Sequence, residues 1–355
     1  MPGIGEVELV RADQVKPARI DWVWPGWLAA GKLHLIAGSP GTGKTTISLS
    51  IAAAITNAGV LPCGWQSPGG SVLMWTGEDD LADSVVPRFQ ACGGRRERLH
   101  FVKGTRGLGG KTYPFDPAED MAGLIDTAKK IKDLKLLILD PVVSAVAGDS
   151  HKNTETRRAL QPLVDFAAAA GAAVLGITHF SKGTAGRDPV ERVTGSLAFT
   201  AVARLLMVTA KPKEEGERWR LVRAKSNIGP DGGGFEYELF QVSLEDGIQG
   251  QGVMWGEVLE GAAQALLAEV ESPAESRSAP LLEAAKDWLQ RFLGNGSSAQ
   301  AAVEQFAAEK GHKWATVRRA AKDMGVIKEK SGLKGPWMWR MPNVLNETEE
   351  AQAAA

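Results

Sequence analysis

The chain is short of cysteine, of net charge and of long apolar runs, and each shortage narrows what it can be. Its 355 residues include two cysteines, Cys63 and Cys92. They fall in no metal-ligand spacing, which argues against a disulfide framework and suits a reducing cytosol. Lys and Arg number 41 against 42 Asp and Glu. The whole chain is therefore no generic polyanion binder, and any nucleic-acid surface has to be local. No stretch of about 18 apolar residues exists, so no membrane span is expected. The opening "MPGIGEVELVRADQ" has no charged segment followed by an apolar core, so no signal peptide is expected and the expected location is cytoplasmic. The length suits one large domain plus a smaller one.

What is there is an alternation of short apolar runs and amphipathic helices. The runs are "LHLIAG", "SVLMWTGE", "LHFVKG", "LKLLILDP", "AAVLGITH" and "RLLMVTA". They lack strict period-two alternation, as strands buried on both faces do in parallel sheets covered by helices. Helical stretches such as "TTISLSIAAAITNAG" and "TRRALQPLVDFAAAAG" end at glycine. Pro162 either kinks the second or marks a first turn. After "KPKEEGERWRLVRAKSNIGPDGGGFEYELF" the pattern changes to strands joined by Gly-rich turns, which suggests antiparallel edge strands completing the sheet. The expected fold class is α/β, a mainly parallel sheet flanked by helices.

Residues 1–30, with three tryptophans in "DWVWPGWL", read as an N-terminal arm, and residues 31–259 as the main domain. Residues 260–280 gain Ala, Ser, Glu and Pro and read as a linker with some helical character. In residues 281–342 three helices precede two short strands around a Gly-rich turn, the pattern of a winged helix. Residues 343–355 read as a disordered tail.

The stretch "AGSPGTGKTT" matches the P-loop pattern and has the required strand before it and helix after it. Its glycines let the backbone N–H groups of Gly38, Ser39, Pro40, Gly41, Thr42, Gly43, Lys44, Thr45 and Thr46 (proline excepted) curl round phosphates, and the helix N-terminus adds positive potential. Lys44 can pair with the β- and γ-phosphates, and the Thr45 hydroxyl can hold Mg²⁺. The implied cofactors are ATP and Mg²⁺. Asp140 ends an apolar strand as a Walker B aspartate does, orienting water on the metal. In "VLMWTGEDD", Glu78 follows a strand expected beside the P-loop strand, where a carboxylate can polarise the attacking water. Asp79 and Asp80 compete with it, and a helix N-cap would also explain such a cluster. His179 ends a later strand, where an imidazole can touch the γ-phosphate and report its loss to the following loop.

Taken in this order, with "VTGSLAFTAVARLLM" and "RAKSNIGP" after them, these motifs resemble a RecA-type ATPase core over about residues 24–240. Within that class the chain resembles the RepA-like hexameric replicative helicases of plasmids and related phage ATPases. The resemblance implies that Glu78 carries the catalytic carboxylate, consistent with Pro141, not an acid, following Asp140. It implies that Arg204 acts as an arginine finger on a neighbouring subunit, with Lys225 as a second trans cation, and hence a ring, expected to be a homo-hexamer. Asn227 stands where the wider group often has arginine.

Two basic regions are candidate DNA contacts. One is the loop "SKGTAGRDPVERVTG", with Lys182, Arg187 and Arg192 diluted by Asp188 and Glu191; RecA-type proteins line their channel with the loop at this place. The other is the segment from Gly311 to Arg340, with eight Lys or Arg against two acids. There Arg318, Arg319 and Lys322 fall on the third helix, and Lys328, Lys330 and Lys334 on the hairpin, which suits a recognition helix with a basic wing. Trp337 and Trp339 are expected to pack the wing's base. The expected activity is an ATP-driven motor on single-stranded or duplex DNA; the alternative is a RecA-type DNA-binding ATPase, for recombination or initiation control, without unwinding.

Overall fold

The computed structural model describes residues 8–107, 109–146, 153–181, 183–184, 186–193, 197–212, 218–271, 274–294, 296–312, 314–331 and 336–342. The chain divides into two compact units after Glu271.

The first unit is built on a nine-stranded sheet. In chain order its strands are β1 (Leu33–Gly38), β2 (Ser71–Thr76), β3 (Leu99–Phe101), β4 (Leu134–Asp140), β5 (Ala173–Ile177), β6 (Leu205–Ala210), β7 (Trp219–Ser226), β8 (Gly234–Ser243) and β9 (Gln249–Leu259). They lie in the order β9-β8-β7-β6-β1-β5-β4-β2-β3. From β6 to β3 every pairing is parallel, and from β6 to β9 every pairing is antiparallel. The continuous apolar runs are explained by burial on both faces. In β4, Leu137 and Leu139 enter one core cluster and Leu136 and Ile138 the other. Alternate side chains point to opposite faces, so a strand covered on both sides needs no polar positions.

Helices α1 (Lys44–Thr56) and α2 (Val86–Ala91) cover one face, and α3 (Met121–Ala128), α5 (Gln161–Ala170) and α6 (Leu197–Val202) the other. The helical run before Gly171 is broken. Helix α4 (Asn153–Ala159) stops, and α5 starts with Pro162 in its first turn, where proline loses no hydrogen bond.

The N-terminal reading changes in the structure. Residues 8–20 are exposed, Leu9 at 88% and Val10 at 68%, but Trp22–Ala29 is no arm. It forms a small antiparallel pair, and Trp24 and Trp27 are buried and stacked 5.0 Å apart. Both rings pack on Phe235 of β8. The tryptophans are core, drawn in because burying such rings removes a large apolar area from water.

The expected linker also gives way to helix. Ala263–Glu271 forms α7, whose Leu266, Leu267 and Val270 enter the main core. Apolar spacing on one helical face outweighed the Ala, Ser and Glu composition.

The second unit contains α8 (Ala274–Leu293), α9 (Gln300–Glu309) and α10 (Trp314–Asp323). A three-stranded antiparallel sheet joins β10 (Ser298–Ala299), β11 (Ile327–Lys330) and β12 (Trp337–Arg340). Its core includes Leu289, Val303, Val317 and Trp339. Trp339 stacks on Trp314 at 5.4 Å, in the packing role expected of it. Trp337 is 48% exposed and does not share that role.

Candidate functional site

Because β1, β2, β4 and β5 run parallel, their C-terminal ends reach one edge of the sheet. Ligand crevices of open α/β sheets form at that edge. Gly38, Glu78, Asp140 and His179 each sit at or just past one of those ends. The strand carrying Glu78 does not lie beside the P-loop strand, as its apolar run suggested. It pairs with β4, and β5 separates β4 from β1. Crossovers set strand order, and an apolar run does not encode its neighbours. The acid still reaches the site, because what gathers there is strand ends.

The loop itself is built for close backbone approach. Gly43, directly before α1, has φ +73°, and a Cβ on Gly38 would lie 2.1 Å from the Thr209 hydroxyl. Neither position accepts a side chain. Thr42 is fixed by its hydroxyl on the Ser39 carbonyl at 2.8 Å and by contact with Thr209 at 2.7 Å. The Tyr237 hydroxyl of β8 donates to the Thr42 carbonyl at 2.7 Å. Nothing in the sequence marked Thr209 or Tyr237 as braces of this loop; they come from strands 167 and 195 residues away in the chain.

A cavity of about 440 Å³ opens there, lined by Lys44, Thr45, Glu78, Asp140 and His179 among others. Larger cavities lie elsewhere, 730 Å³ beside Arg223 and 810 Å³ beside Phe101 and Phe115. Neither is lined by a phosphate-binding loop, so size does not locate this site. Lys44 donates to the carbonyls of Gly38 and Ser39 at 3.1 and 3.0 Å. Burial pushes its pKa down to about 8, against the pull of Asp140 and Glu78. Thr45 donates to Asp140 at 2.6 Å. Burial raises Asp140 to about 6; the Thr45 hydrogen bond opposes this, and Glu78 and Asp79 add to it. A buried carboxylate with an adjacent hydroxyl and further carboxylates nearby is a hard, oxygen-rich donor set, and it fits Mg²⁺. When bound, the metal would neutralise phosphate charge; Thr45 and Asp140 are the residues that would hold it.

The three competing acids separate clearly. Asp80 caps the turn Leu81–Val85, accepting from the backbone of Ala82 and Asp83. Asp79 pairs with Arg88 at 2.6 Å. Glu78 is exposed, has no ion pair among the described residues and lines the cavity. Of the three acids it is the one with neither an ion pair nor a capping role among the described residues, so its carboxylate can accept a proton from water. His179 lines the same cavity with its Nδ1 buried and unpartnered among the described residues. Burial and then Lys44 lower its pKa, favouring a neutral ring that can donate one hydrogen bond.

The expected trans cations lie at the other end of the sheet. The Arg204 backbone N–H donates to the Leu33 carbonyl at 2.8 Å, at the start of the P-loop strand, while Thr209 is level with Gly38. That is five steps of about 3.3 Å from the loop. Arg204 is exposed and has no ion pair among the described residues. Lys225 donates to the Thr200 carbonyl. Burial lowers its pKa, and Arg204 lowers it further.

Of the basic loop, Arg187 is exposed and Lys182 lies outside the described residues. Arg192 is not a DNA contact. It is 4% exposed, forms a two-pronged bond with Glu271 at 2.8 and 2.7 Å, and lies over the Phe180 ring at 4.1 Å. A guanidinium with both a carboxylate and an aromatic face to satisfy it is a structural clamp between this loop and α7. In the second unit Arg318, Arg319, Lys322, Lys328 and Lys330 are all exposed. Lys328 lies over Trp339 at 4.0 Å, and Arg318 helps to lower its pKa, after burial, so α10 and β11 bring their charges together. Lys334 lies outside the described residues.

The fold and this cleft define a nucleotide-hydrolysing P-loop ATPase. A family model described as an AAA domain matches residues 5–185, just over half of the chain, and the chain belongs to that family. The match spans the P-loop, Glu78, Asp140 and His179 and ends before Arg204. No curated protein matches the chain. No helix among the described residues is long and apolar enough to cross a membrane.

Proposed function

We propose that the chain is a ring-forming ATPase that acts on DNA, in the manner of the RepA-like replicative helicases of plasmids and phages. The observation that carries this reading is the position of Arg204. It is exposed, carries no ion pair among the described residues, and sits beside Lys225 at the end of the sheet remote from its own P-loop. A cation there cannot serve its own nucleotide. It can serve the nucleotide of a neighbour whose P-loop edge faces it, and such a head-to-tail contact builds a ring when its rotation closes, the form this reading takes, and a filament when it does not. The hexamer is the ring size this reading takes.

DNA is the proposed polymer because exposed cations converge on α10 and β11. With three helices and a small sheet, the second unit has the parts of a winged helix, and α10 would be its recognition helix. Arg187 and Lys182 would contribute from the loop after His179.

The test is ATPase turnover with and without single-stranded DNA, alongside particle mass and a strand-displacement assay. The reading expects DNA-stimulated turnover, a ring-sized particle and displacement. Stimulated turnover without displacement would leave a DNA-binding ATPase that does not unwind.

A further inference from the structure

The cleft has chemically assigned walls except one. The P-loop N–H groups set where the α- and β-phosphates lie, and Lys44 marks the β,γ end. Glu78, Asp140 and His179 occupy the γ-phosphate side. A nucleoside attached to the α-phosphate must therefore leave past Thr46 and the start of α1.

That exit is walled by the antiparallel extension of the sheet, which no motif in the sequence marks. Leu239 of β8 lies so close over the loop that a Cβ on Gly43 would meet its Cδ1 at 2.7 Å. Gln251 of β9 accepts the Thr46 hydroxyl at 2.9 Å, which leaves its amide NH₂ to donate elsewhere. Trp219, the first residue of β7, lines the same cavity. Its ring is half-buried, set edge to face on Tyr237 at 5.8 Å, with the Lys211 ammonium 5.1 Å from its centroid. Tyr237 also holds the Thr42 carbonyl, so wall and loop are one braced unit. A half-buried indole beside a leucine, with one amide, offers an apolar face and one polar group. A phosphate needs neither; a base and a ribose need both.

We propose that Trp219, Leu239 and Gln251 form the nucleoside subsite of this ATPase, with the base against the indole and leucine and the ribose toward the Gln251 amide. This rests on the reading of the P-loop as a triphosphate site. It makes the antiparallel strands, not the parallel core, the part that distinguishes a nucleoside triphosphate from bare polyphosphate.

The experiment compares Mg·ATP with Mg·inorganic triphosphate by calorimetry on the full chain. Base–aromatic stacking is worth about 1–3 kcal/mol, or about 5- to 150-fold in affinity. Wild type should bind ATP more tightly than triphosphate by at least that factor. Trp219→Ala should weaken ATP about 5- to 150-fold and leave triphosphate within about twofold, and Leu239→Ala should do the same to a smaller degree. Unchanged triphosphate binding shows that each variant still folds. Should both variants keep the wild-type ratio of ATP to triphosphate affinity, the subsite is overturned while the phosphate site stands. Should wild type bind neither ligand, the phosphate site falls and the subsite with it.

Discussion

At the C-terminal edge of the parallel strands, most polar and charged groups have partners within the chain. Lys44 donates to two carbonyls, Thr45 to Asp140, and Arg88 pairs with Asp79. At the opposite edge Arg204 is exposed without an ion pair among the described residues, and Lys225 beside it rests on the Thr200 carbonyl. The first edge needs a ligand to complete it. The second carries an exposed arginine at the far end of the sheet from its own nucleotide cleft. An anion site at one end of the sheet and an exposed arginine at the other is the arrangement on which the proposed contact between copies of the chain rests.

The largest effect is expected at Arg204. Arg204→Ala should lower ATP turnover about 10³-fold or more, as loss of an arginine finger does, with ATP affinity within a few-fold by calorimetry. Mixing Arg204→Ala with Glu78→Gln should restore part of the turnover, because some interfaces then pair an intact Glu78 with an intact Arg204. No recovery in the mixture would place both groups in one chain's site.

The next largest effect is expected at the P-loop edge. Glu78→Gln should cost about 10²- to 10⁴-fold in turnover. Asp80→Asn, which keeps a capping oxygen, should cost less than about tenfold. Equal losses in single-turnover assays would show that the acids had been misassigned.

Next in size is Arg192, whose charge lies inside the protein and not at either edge. Arg192→Ala leaves Glu271 without its partner in a largely buried pair, and should cost about 3 kcal/mol in denaturant unfolding. DNA affinity should fall no further than the lost fraction of folded protein explains.

Of similar size is the pH response of His34, fully buried in the P-loop strand. Its Nε2 accepts from the Ala29 amide and its Nδ1 contacts the Val174 carbonyl, so the ring is neutral, and burial lowers its pKa from 6.5 to about 4. The unfolded chain takes up this proton near pH 6.5 and the folded chain only near 4. Its effect is absent above that window, and stability falls as pH drops through it, by about 3 kcal/mol in all. Asp140 acts with the opposite sign below pH 6. The readout is thus the difference between wild type and His34→Gln in urea midpoints at pH 7 and pH 5.

The smallest effect belongs to the second unit. Neutralising Arg318 or Lys322 should lower the salt slope of DNA binding by about one per residue and weaken it evenly across sequences. No change in slope would leave α10 as a protein-docking face.

Much of the site was legible because its residues are adjacent in sequence or end apolar runs. The P-loop is one contiguous stretch, and Glu78, Asp140 and His179 each follow a strand that hydrophobicity alone reveals. Choosing among Glu78, Asp79 and Asp80 required seeing Arg88 take one and the turn at Leu81 take another. Arg192 reads as a loop cation until Glu271 and Phe180 are found around it. The tryptophans before Leu33 read as an arm until Phe235 arrives from far along the chain.

The phosphate-binding loop could be read from consecutive residues, because a loop that wraps an anion with its own backbone needs nothing from elsewhere in the chain to be recognised. Only the folded chain shows which end of the sheet holds Arg204, which charges are clamps, and which antiparallel strands line the P-loop cavity. Those depend on strand order and on contacts between residues far apart in the chain, and neither is encoded in local spacing.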